Sequence, residues 1–111
     1  MSHVDEEEFA SKIVSDLIEI YSEDEVHQEV VLPASQRRID IVVEPSNHPA
    51  KFAIEVENDF EAVFSGIGQA EIYAAEIDAT PLIMIPEGHV EYPEIMYLSN
   101  SRVEILQYPY K

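Results

Sequence analysis

The chain has 111 residues and no cysteine, which allows one domain, residues 1–111, with one modest core and excludes a disulfide framework or a thiolate metal site. Its 23 acids against six Lys plus Arg give a net charge of −17, scattered along the chain; such a surface repels nucleic-acid phosphate at ordinary salt and suits a salt-rich, halophilic cytoplasm where counter-ions screen self-repulsion. A hydrophobic fraction of 46% argues against disorder, while the apolar runs fall short of a membrane span and the acidic start lacks the basic residues of a signal peptide, so a soluble cytoplasmic protein is expected.

From Asp5 to about Tyr21, the residues Phe9, Ile13, Leu17, Ile20 and Tyr21 recur at three- and four-residue steps, the spacing of an amphipathic helix. Asp5 followed by Glu8 supplies an N-terminal cap, and the acids of the first turn suit the positive end of the helix dipole. "SEDE" is a polar connection. Val26 to Leu32 and Arg37 to Glu44 are strands closed by Pro33 and Pro45, and "PASQ" between them is short enough for a hairpin. Past the turn-rich "PSNHPA", Lys51 to Glu57 makes a third strand, so an antiparallel meander is expected.

Asn58, three residues before Glu61, starts a second helix whose stripe of Phe60, Val63, Phe64, Ile67, Ala70 and Ala74 runs to about Ile77. Thr80 to Ile85 is apolar without alternation, as in a strand covered on both faces and paired in parallel through a crossover helix. A helical turn near Glu94 to Leu98 and a last strand from Arg102 to Leu106 complete the chain. The fold class is therefore α/β: an αβββαβ core with a mixed central sheet, an antiparallel meander, one βαβ crossover and helices on both sides.

Two of these strands carry acids among apolar residues. By alternation Arg38, Asp40 and Val42 share one face of the second strand, opposite Ile39, Ile41 and Val43. Likewise Ala53, Glu55 and Glu57 share a face of the third, opposite Phe52, Ile54 and Val56. If the apolar rows face one side, Asp40, Glu55 and Glu57 meet on the other, where like charges are tolerated mainly around a cation. Carboxylates are the ligands that Mg²⁺ or Mn²⁺ prefer, and such an ion suits phosphodiester hydrolysis. The plainer reading, a solvated acidic face, stays open, above all for Glu57. His3, His27, His48 and His89 have no metal-like spacing, and none is given a role.

The order of elements, with "RIDIVV" on the second strand and "AIEVE" on the third, resembles the PD-(D/E)XK nuclease superfamily, the restriction-endonuclease-like fold, over roughly Phe9 to Ile85. The resemblance places the family's first acid on Asp40, its second on Glu55 and its usual lysine position on Glu57. It implies a water- or phosphate-positioning role for Gln69 in "GIGQAEIY", with Tyr73 one turn later, and an accessory first-helix acid, best matched by Glu19. The departure is Glu57: a carboxylate cannot supply the lysine's positive charge, though it can hold metal or act as a general base. Arg38 is a candidate source of that charge. A homodimer is also implied, for which the tail "LQYPYK" offers either an interface or more core. Two functions stay open here: a small Mg²⁺- or Mn²⁺-dependent nuclease acting on DNA, with grip supplied by a second subunit or a basic partner protein, and a catalytically silent binding or assembly module of the same fold.

Overall fold

The structure, a computed structural model, describes residues 5–58, 60–87 and 103–109. In chain order its elements are α1 (Glu6–Ile20), a 3₁₀ turn (Glu23–Glu25), β1 (Val26–Val31), β2 (Arg38–Val43), β3 (Phe52–Val56), α2 (Phe60–Glu76), β4 (Thr80–Pro86) and β5 (Glu104–Tyr108). The expected αβββαβ order is present, with element ends shifted by a residue or two. The expected helical turn near Glu94 to Leu98 lies outside the described residues.

Helix α1 starts where its cap does. The Asp5 carboxylate accepts hydrogen bonds from the backbone N–H groups of Glu7 and Glu8, at 2.9 and 3.2 Å, and three acids occupy the first turn. The apolar stripe then buries Phe9, Ile13 and Val14 against one face of the sheet, onto Val26, Ile41, Val43, Ile54, Val56 and Met84. Helix α2 covers the other face. Its Val63 and Ala70 pack with Ile83 and Ile85, and its Ala74 packs with Leu32, Ile39, Val42 and Ala53. A sheet covered on both sides explains the uninterrupted apolar run of β4, whose last four residues are all buried.

The five strands lie in sequence order, β1-β2-β3-β4-β5. β1, β2 and β3 form the antiparallel meander, and β3 pairs with β4 in parallel across α2, as expected. β5 also runs parallel to β4, so the sheet holds two parallel pairs where the sequence foresees one crossover. Of the two alternatives for the tail, more core holds for its described residues Leu106 and Tyr108. Leu106 and Tyr108 belong to the core beneath α1, Tyr108 stands 6.3 Å from Phe9 between ring centroids, and its hydroxyl donates to the Asp16 carboxylate. Those two side chains are therefore core residues and not a free apolar surface for dimerisation.

Alternation in β2 departs from the expectation. Ile41 and Val43 face α1 while Val42 faces α2, yet Ile39 joins Val42 instead of Ile41. The strand thus changes parity at Asp40. Opposite it in the β1 register sits Glu29, with φ of 47°, a left-handed conformation that a regular strand does not contain. Among the described residues, no helix is long and apolar enough to cross a membrane.

Candidate active site at the opening of the β2–β3 ladder

The parity change marks the place where two strands part. The β2–β3 register runs Val43↔Phe52, Val42↔Ala53 and Ile41↔Ile54, so one more step would set Asp40 opposite Glu55. There the ladder stops. A continued ladder would deliver the Val56 N–H to the carbonyl of Ile39. That N–H is instead taken by the Asp40 carboxylate, at 2.8 Å, while Ile39 stays paired with Val30 on β1. Beyond Asp40, β2 follows β1 and leaves β3, and the gap is lined by the two acids that sequence singles out.

Their environment opposes ionisation. Burial pushes the Glu55 carboxyl up to about 8, and the charges of Asp40, Glu57 and Glu6 push the same way against a backbone hydrogen bond from Asp40. Asp40 is also raised, first by burial and then by Glu29, with the Val56 N–H opposing. Glu55 Oε2 is a buried oxygen with no hydrogen-bond partner among the described residues. A partly buried acid pair with one unpartnered oxygen is a costly arrangement unless a proton or a cation neutralises it.

The remaining candidates are placed unevenly. Glu57, one strand repeat past Glu55, continues the parallel ladder through its N–H to the Met84 carbonyl, at 3.0 Å, and its charge reaches Glu55. Its carboxylate leans on α2: a Cβ at Gly66 would stand 3.2 Å from Glu57 Oε2. Arg38 is exposed and pairs with Glu29 at 3.3 Å, so it meets the site through the acid that raises Asp40. Gln69 is exposed on α2, and Tyr73 packs in the apolar cluster around Leu32, Ile39 and Val42. Glu19 is not brought to the acids. It sits near the far end of α1, where its charge acts on Tyr108.

The first-helix acid at the site is Glu6, which the motif match missed. Glu6 adds to the upward push on Glu55, and with Glu7 it lines a recess of about 350 Å³ shared with Gln28, Glu29 and Asp40. The signal lay in the cap: Asp5 fixes the helix start and so puts acids in its first turn, but only the tertiary fold brings that turn to the open end of the β2–β3 ladder.

As ligands, Asp40 and Glu55 supply hard carboxylate oxygens, and the orphaned Glu55 Oε2 is the kind of atom a cation satisfies. Mg²⁺ takes few protein ligands and keeps its other positions for water and phosphate, so two carboxylates fit it. A fuller cage is absent: no group of three or more His, Asp or Glu among the described residues is arranged to hold an ion.

Taken together, a five-stranded mixed sheet flanked by one helix on each face, with paired acids where a ladder opens, makes this an α/β domain. Among solved structures it is similar to the crystal structure of a repair endonuclease from Pyrococcus abyssi, with a TM-score of 0.59 and 11% identity over 98% of this chain and 49% of that one. The chain thus spans about half the length of that endonuclease, and at this identity the likeness is one of fold. No protein-family model and no curated protein sequence matches the chain.

Proposed function

We propose that this domain is a metal-dependent nuclease of the PD-(D/E)XK type, hydrolysing phosphodiester bonds in DNA, with Asp40 and Glu55 holding Mg²⁺ or Mn²⁺. The observation that carries the reading is the opened ladder: both acids line one gap, burial raises the proton affinity of each and the Asp40 charge adds to that of Glu55, and one Glu55 oxygen has no hydrogen-bond partner among the described residues. The fold likeness to a repair endonuclease supports it. When bound, the ion supplies positive charge to a phosphoryl oxygen and to the attacking water. The chain's own residues do the rest. Asp40 is oriented by the Val56 N–H, and Glu55 must give up its proton before it can act as a ligand. Glu57, one repeat away, serves as extra ligand or as the base that takes a proton from water, and Gln69 positions water or phosphate. Grip on an anionic substrate comes from a second copy or a basic partner, because a chain of charge −17 has few cations with which to displace counter-ions from phosphate.

A silent binding or assembly module is the second reading. It is favoured by the lack of a third assembled ligand among the described residues and by a carboxylate where a lysine would supply positive charge. One experiment separates the two. The protein and its Asp40→Ala variant are incubated with plasmid, branched and single-stranded DNA in Mn²⁺ or Mg²⁺, at low and at molar salt. Cleavage that needs the ion and disappears in the variant supports the nuclease. Absence of cleavage together with no ion-induced rise in melting temperature establishes the silent module.

A further inference from the structure

Two glycines lie two residues apart in α2, and their surroundings differ. A Cβ added at Gly68 would meet nothing within 4 Å, whereas one at Gly66 would meet Glu57 Oε2 at 3.2 Å. Glycine in the middle of a helix weakens it relative to alanine, so each position is unfavourable for the helix considered alone. At Gly68 no neighbour requires the missing side chain. At Gly66 one does, and that neighbour is the acid whose charge reaches Glu55 and which occupies the position the resemblance gives to a lysine.

We infer that Gly66 is a positioning residue for Glu57: its bare backbone is the seat that lets the Glu57 carboxylate lie between the end of β3 and α2, on the strand face that carries Glu55. The inference rests on the nuclease reading for what Glu57 then does, but the seat itself is independent of activity. A methyl at Gly66 forces the carboxylate back by a few tenths of an ångström, and a longer side chain displaces it altogether. Shortening Glu57 to aspartate withdraws the carboxylate from α2 and makes room again. Geometry of this kind acts on the reactive step rather than on substrate capture, because displacements well under the length of a bond already slow a positioned group.

The test compares Gly66→Ala and Gly66→Leu with Gly68→Ala and Gly68→Leu, each alone and combined with Glu57→Asp or Glu57→Ala. Thermal melting reads the seat without any need for catalysis. In the native background Gly66→Ala should gain less melting temperature than Gly68→Ala, and in the Glu57→Ala background the two should gain equally. Mn²⁺-dependent cleavage reads the function. At Gly66, Ala should lower kcat several-fold and Leu by about tenfold or more, with KM held within about twofold. Both Gly68 variants should keep kcat within about twofold. Equal behaviour of the two glycines in the native background overturns the seat whether or not the protein cleaves. A melting difference that Glu57→Ala abolishes, in a protein that neither cleaves nor binds Mn²⁺, upholds the seat and overturns the nuclease reading. Cleavage by the native protein with kcat indifferent to Gly66→Leu overturns the positioning role.

Discussion

Glu55 carries the sharpest consequence at the scale of a single residue. Its ordinary value is 4.5 and its folded value about 8, so between those limits the folded chain holds a proton that the unfolded chain has lost. The sign follows directly. Stability from this group is complete below the lower value and falls as pH rises through the upper one, by an amount on the order of a few kcal/mol. Melting in EDTA from roughly pH 5 to 9 should show that decline, and Glu55→Gln, which keeps the shape without the charge, should flatten it. A divalent cation selects the ionised form, so the rise in melting temperature that it produces should grow with pH up to about 8. Restoring positive charge is the complementary change. Glu57→Lys would set an ammonium where a like charge now raises Glu55, and it should bring the Glu55 titration down, measured by NMR on the labelled side chain.

Among the elements, α1 links stability to the site. Its cap, Asp5, satisfies the N–H groups of Glu7 and Glu8, and the same first turn carries Glu6 to the acid pair. Asp5→Ala should cost about 1 kcal/mol, seen as a drop of about 4 °C in melting temperature. The far end of α1 is fastened differently, by the Tyr108 hydroxyl on Asp16 with Lys12 beside both. That contact pulls the Asp16 carboxyl down, through Lys12 first and Tyr108 second, while burial first and the bond to Asp16 second push the tyrosine up to about 12. The two bonded ends play different parts: one holds β5 to the helix and the other brings acids to the gap. Removing the fully buried Phe9 leaves a cavity between α1 and the sheet, and Phe9→Ala should cost about 3–5 kcal/mol by denaturant titration.

For the molecule as a whole, the charge of −17 is the dominant property. Molar salt shortens the screening length to about 3 Å, which removes most repulsion between surface acids while leaving the buried pair largely untouched. Unfolding followed from low to molar KCl should show stability rising, and a fall would sink the salt-adapted reading. Four described ion pairs involve only Lys12, His27, Arg38 and Lys51 as partners, all at least two-fifths exposed, so little of this repulsion is offset by pairing.

The elements were legible because periodicity and turn residues are local: the steps from Phe9 to Ile20, the prolines closing β1 and β2, and the unbroken apolar run of β4 each record one segment's own burial. Asp40 and Glu55 were legible for the same reason, as acids set among strand residues. The sequence foresaw the β3–β4 crossover but could not carry the exact register and packing in which distant segments meet. Strict alternation puts Ile39 with Ile41, and only the departure of β2 from β3 moves it to the other face. Glu6 and Glu19 are equivalent acids on one helix until packing decides which end of α1 meets the open ladder. The second parallel pair, the burial of Tyr108 and the approach of Glu57 to Gly66 arise likewise from the meeting of chain segments, where neighbours far apart in sequence, rather than propensity, set the geometry.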